Sequence, residues 1–84
     1  MYEILIEDSA EKDLLKLPQE TVERILKHIL PLEDNPRFPG TRKITGSRND
    51  WRIRVGDYRV VYEILDERKI VRIFKIKHRK DVYR

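Results

Sequence analysis

Two alternating runs joined by only two residues constrain this chain most. Trp51, Ile53 and Val55 alternate with Arg52 and Arg54, and after Gly56-Asp57 a second strand-like run covers Tyr58–Leu65. Period-two alternation sends the apolar set to one face of a strand and the arginines to the other. Glycine in the first position of a two-residue loop suits a β-hairpin turn. The chain must therefore build around an antiparallel sheet, with Arg59 brought near Arg52 and Arg54 across the hairpin.

The remaining segments supply the other layers. Tyr2–Glu7 alternates and reads as a first strand. Asp8 or Ser9 suits a helix N-cap, and Asp8 with Glu11 resembles a capping box. Ala10, Leu14 and Leu17 recur at helical spacing until Pro18, which disfavours helical geometry at Leu17. Val22, Ile25, Leu26, Ile29 and Leu30 form one apolar stripe on a second helix. Pro31 either stops that helix or kinks it on its way to about Asp34. Asn35-Pro36 and Pro39-Gly40 mark a loop. Arg42–Ile44 reads as a short strand, Gly46–Asp50 as a polar turn, Asp66-Glu67-Arg68 as another turn and Lys69–Lys77 as a final strand. The order β-α-α-β-β-β-β predicts a single α+β domain over residues 1–84, an antiparallel sheet with the N-terminal helical hairpin on one face.

Composition removes several function classes. The chain has no cysteine, so disulfides and thiolate metal sites are excluded and a reducing cytoplasm is the expected setting. The longest aliphatic run, Ile4-Leu5-Ile6, is too short to span a bilayer, and no secretion signal opens the chain; no membrane partner is expected. His28 and His78 lie far apart with no matching ligand cluster, which speaks against zinc. Ser9 and Ser47 lack a nucleophile-elbow context. Gly40, Gly46 and Gly56 make no phosphate-cradling motif, so no cofactor is expected.

Charge is unevenly distributed. Residues 1–36 carry nine acids and four bases, a net −5, and residues 37–84 carry fifteen bases and six acids, a net +9. A strongly basic half points to a polyanion such as nucleic acid, the alternative being the salt-bridged surface of a heat-adapted protein. Arg52, Arg54 and Arg59 on one sheet face would repel one another unless an anion joined them, and guanidinium forks match phosphate. The alternative is a solvated face with salt bridges to Glu63 or Asp50. Residues 77–84 add a second basic cluster, where the Tyr83 ring can stack on a base or its phenol exchange a proton. A fraying tail is the other reading, against which the bulky pair Val82-Tyr83 counts. His28 reads as a solvated helix residue, and Trp51, Tyr58 and Tyr62 as core.

The stretches WRIRVGDYRVVYEI (51–64) and IKHRKDVYR (76–84) resemble the RelE/ParE toxin superfamily, and its RelE-type mRNA interferases in particular. DSAEKDLLKLP and LEDNPRFPGTRKITG carry the likeness over nearly the whole chain. The resemblance implies a toxin of a type II toxin–antitoxin pair that enters the ribosomal A site and cleaves mRNA. There the 2′-hydroxyl attacks the adjacent phosphate. Its partners would be a cognate antitoxin and the ribosome with mRNA, with no small-molecule cofactor. Arg52 and Arg54 fall on the family's paired basic strand positions, Arg59 on the arginine after the turn, and Arg79 and Tyr83 on the C-terminal arginine and tyrosine. Arg59 and Arg79 would then hold the scissile phosphate, Arg54 would contact phosphate or the leaving oxygen, and Tyr83 would stack or transfer a proton. Lys43, Lys77, Lys80 and Arg84 join Arg52 as expected RNA contacts.

Family members often carry lysines at the two strand positions, where this chain has arginines. A guanidinium stays protonated and is a poor base. The proton acceptor then falls among His78, Lys77, Lys80 and Tyr83, imidazole being the side-chain type that titrates nearest neutrality. Two other functions fit the same resemblance: a ParE-like toxin of DNA gyrase without nuclease activity, and a catalytically silent binding module.

Overall fold

The computed structural model describes residues 1–47 and 49–82, with only the backbone for Asp81 and Val82. Strand β1 (Glu3–Ile6) leads into helices α1 (Asp8–Leu15) and α2 (Gln19–Ile29), and α2 runs on as a 3-10 turn over Leu30–Glu33. Then come β2 (Thr41–Lys43), β3 (Asp50–Val55), β4 (Tyr58–Leu65), β5 (Ile70–His78) and a last turn of helix, α3 (Arg79–Val82). Pro31 thus tightens the helix instead of ending it, because its ring is tolerated in a first turn.

The strands form one sheet in the order β1-β5-β4-β3-β2. From β2 to β5 every pair is antiparallel, as the alternation implies. At the far edge β1 pairs parallel with β5, Ile4 opposite Val71. The two helices between β1 and the rest of the chain provide the crossover that parallel pairing needs. The hairpin turn has Gly56 at φ +59, with Asp57 outside the left-handed region, the pattern of a turn that demands glycine first.

One face of the sheet carries the core. Ile53, Val55, Val60, Tyr62, Ile64, Val71, Ile73 and Ile76 are buried there against Ala10, Ile25, Ile29 and Leu32. The apolar stripe of α2 is narrower than its spacing implies. Ile25 and Ile29 are sealed, whereas Leu26 and Leu30 flank them at 36% and 60% exposure. Tyr62 is fully buried and its hydroxyl donates to the Pro36 carbonyl at 2.7 Å. Burial pushes that phenol up to about 12, which suits a core hydroxyl.

The first helix starts one residue early. Glu7 takes the N-cap position without a side-chain cap, and its N–H donates to the Ile73 carbonyl, so the strand pairing runs directly into the helix. The expected Asp8–Glu11 capping box does not form. Two α1 side chains instead serve the stretch of β5 that β1 is too short to cover. The Ser9 hydroxyl donates to the Phe74 carbonyl at 2.7 Å, and Asp13 accepts from the Ile76 N–H at 3.0 Å. They satisfy backbone groups that an open sheet edge would leave to solvent or to another chain.

Candidate nucleic-acid interface

The face of the sheet away from the helices has two neighbouring rows that are almost wholly cationic. Antiparallel partners share a face. In the first row Arg42 pairs with Arg52, Arg52 with Val61 and Val61 with Lys75. In the second Arg54 pairs with Arg59, and Arg59 with Lys77. Alternation along β3 and β4 places these residues there, because Ile53, Val55 and Val60 are held by the core.

Two open concavities follow these rows. One, of about 330 Å³, is lined by Gly40, Arg42, Arg52, Arg54 and Arg59. The other, of about 460 Å³, is lined by Arg54, Arg59, Arg79 and Lys80. Arg54 and Arg59 belong to both. A third, apolar hollow has Ile44 and Val61 with Arg52, Arg59 and Lys77 around it. Among the described side chains, no acidic residue lines any of the three.

Among the described side chains, no carboxylate lies within 4 Å of these cations. Glu63 is taken by Arg72 at 2.9 Å, and Arg72 also reaches Glu7 at 3.2 Å. Arg37 is bound to Asp66 at 2.7 Å. Arg54 and Arg59 make only long hydrogen bonds to nearby carbonyls, of Gly56 at 3.5 Å and Tyr58 at 3.3 Å. Glu7 and Glu63 are taken by Arg72 and Asp66 by Arg37, so the cluster presents guanidinium forks without a carboxylate partner among the described side chains. Such a surface fits the phosphates of a nucleic acid strand.

The residues singled out from the sequence separate clearly. Arg52, Arg54, Arg59, Lys77, Arg79 and Lys80 are brought together. Lys43 is not: it pairs with Trp51 and so projects toward the other face of the sheet. His78 is not either, since it pairs with Tyr58 on the helix side. Tyr83 and Arg84 lie outside the described residues. Arg42 and Lys75 belong to the cationic rows without having been picked from the sequence. Choosing Arg42 over its neighbour Lys43 needed the register of β2 on β3, which a three-residue strand does not signal.

Residues 4–83 match the family described as the ParE toxin of the parDE type II toxin–antitoxin system. The chain belongs to this RelE/ParE toxin family. The RelE1 protein of Methanocaldococcus jannaschii is 30% identical over 87 residues, covering 99% of this chain and 96% of that one. The crystal structure of the archaeal RelE–RelB complex from Pyrococcus horikoshii OT3 contains a chain that is 34% identical with a TM-score of 0.74, covering 93% and 94% of the two chains. The isolated RelE toxin of E. coli superposes with a TM-score of 0.83 at 25% identity, over 99% of this toxin-family chain and 92% of its own. The RelE-like α+β fold expected from the sequence is the fold observed.

Proposed function

We propose that this toxin is an mRNA endonuclease that works in the ribosomal A site. The single observation that carries the reading is the convergence of Arg54, Arg59 and Arg79 on one concavity with no carboxylate among the described side chains to neutralise them. In the proposed reaction the 2′-hydroxyl of one nucleotide attacks the adjacent phosphorus. The bond to the 5′-oxygen breaks, leaving a 2′,3′-cyclic phosphate and a free 5′-hydroxyl. Charge rises on the phosphoryl oxygens at the transition state, and guanidinium donors held by the sheet and the start of α3 stabilise it there. Arg59 and Arg79 hold those oxygens and Arg54 supports the leaving oxygen. Arg42 and Arg52 bind the flanking backbone in the adjoining concavity. Proton transfer falls to a non-arginine group, Lys77 and Lys80 at the cluster or Tyr83 just beyond α3 in the chain. The ribosome supplies RNA alignment, which an open surface cannot provide alone.

A cognate antitoxin is the second partner in this reading. The Pyrococcus horikoshii relative was solved as a RelE–RelB complex. An acidic or amphipathic segment laid on the cationic rows would block the RNA and neutralise the cluster together. The cytoplasm, where translating ribosomes lie, is the proposed location.

The family description names ParE, which keeps a toxin of DNA gyrase as the second reading. Mapping mRNA 5′ ends after expression with translating ribosomes separates the two. Codon-periodic 5′-hydroxyl ends are the expected result. Intact mRNA with trapped gyrase–DNA complexes would replace the nuclease reading with the second one.

A further inference from the structure

His78 closes β5 on the helix-covered side of the sheet, while its neighbour Lys77 pairs with Arg59 on the cationic side. A ring so placed faces away from a phosphate bound over Arg54 and Arg59. It reaches the main chain instead. The Lys80 backbone N–H donates to Nδ1 of His78 at 3.2 Å. The Tyr58 ring holds the imidazole edge-on, at 5.1 Å between centroids and 87° between planes. One residue earlier the Arg79 N–H donates to the Asp57 carbonyl at 2.6 Å.

These contacts have one physical sense. The first amides of a helix have no partner within it. In α3 the first is taken by the hairpin turn and the second by the imidazole, with His78 in the N-cap position that accepts from the second helical residue. Because Nδ1 accepts, its lone pair is occupied and the proton of the neutral ring resides on Nε2. The nitrogen that a general base would use is already engaged.

We infer that His78 is the N-cap of α3, a positioning residue that holds Arg79 and Lys80 at the cationic cluster, and is not the proton acceptor of cleavage. Its catalytic consequence rests on the nuclease reading above; its structural consequence rests on the hydrogen bonds alone. Asp57 and Tyr58 lie at the β3–β4 turn, so the cap ties α3 to the hairpin that carries Arg54 and Arg59.

The test compares His78→Asn with His78→Ala in the full chain. Asparagine is among the best N-caps and carries its oxygen at the branch position of Nδ1, but it cannot accept a proton at working pH. Two readouts are taken: amide hydrogen exchange at Lys80 and the rate of mRNA cleavage on ribosomes. The expected result is that His78→Asn keeps Lys80 protection and cleavage near wild type. His78→Ala should speed Lys80 exchange and slow cleavage, each by about five-fold or more, the equivalent of a cap worth ~1 kcal/mol. Loss of cleavage in His78→Asn with Lys80 still protected would make the imidazole a proton carrier and overturn the inference. Unchanged Lys80 exchange in His78→Ala would overturn it whatever the cleavage rate. If the wild-type chain cleaves nothing, the nuclease reading fails by itself, and the exchange data still decide whether His78 caps α3.

Discussion

Arg54 and Arg59 sit directly opposite each other across the β3–β4 hairpin. Like charges at such a position destabilise a sheet by a few tenths to about 1 kcal/mol. Replacing Arg54 with threonine, a neutral strand former, should therefore stabilise the fold by roughly 0.5 kcal/mol. Thermal unfolding at low ionic strength measures the gain, which should shrink as salt screens the pair. The same substitution should weaken phosphate binding. A chain that keeps a destabilising pair at one spot is spending stability on function. Equal or lower stability of Arg54→Thr at low salt would contradict this.

The cationic rows should also set the salt dependence of RNA binding. Each phosphate contact to a single strand contributes a slope of about −0.7 in log K against log salt. Replacing Arg42 or Arg52 with alanine should each flatten the slope for a single-stranded oligonucleotide by about that much. Fluorescence anisotropy across a salt series reads it. Arg42 is the informative case, because only the observed pairing with Arg52 places it on this face.

Away from the site, Asp66 gathers three groups. It accepts from both terminal nitrogens of Arg37 and from the Tyr2 hydroxyl at 2.6 Å. The Arg37 hydrogen bonds, then that of Tyr2, lower its carboxyl from 3.8 to about 2. A carboxyl held lower in the folded than in the unfolded chain adds stability above the unfolded value and loses it as pH falls through the folded one. The stability difference between wild type and Asp66→Asn should thus be constant above about pH 5 and shrink from there down to about pH 2. Chemical unfolding at several pH values checks it. A difference that grows on acidification would reverse the assignment.

Local pattern made much of this fold legible. Alternation across Gly56-Asp57 fixed the hairpin and the arginine face, and the α2 spacing placed Ile25 and Ile29 in the core. What was hidden depends on distant partners. The parallel pairing of β1 with β5 joins Ile4 to Val71, and Asp13 reaches Ile76 63 residues away. The irregularity between Val61 and Tyr62, where Phe74 is the extra residue on β5, shifts the inward series from Val71 and Ile73 to Ile76, and only the pairing with β4 assigns that shift to a bulge. His78 read as a candidate base because residue type suggests chemistry. Only its strand parity shows that it faces away from the arginines and caps α3.

The most direct measurement is the cleavage rate on ribosomes with an mRNA codon in an empty A site, compared across single alanine replacements of Arg54, Arg59, Arg79 and Lys43. Removal of a donor that stabilises the transition state costs about 10²–10³ in rate. The expected result is a loss of that order for Arg59→Ala and Arg79→Ala, a clear loss for Arg54→Ala, and near wild-type cleavage for Lys43→Ala on the opposite face. Wild-type rates in all three arginine variants, or an equal loss in Lys43→Ala, would contradict a phosphate held by the cationic rows.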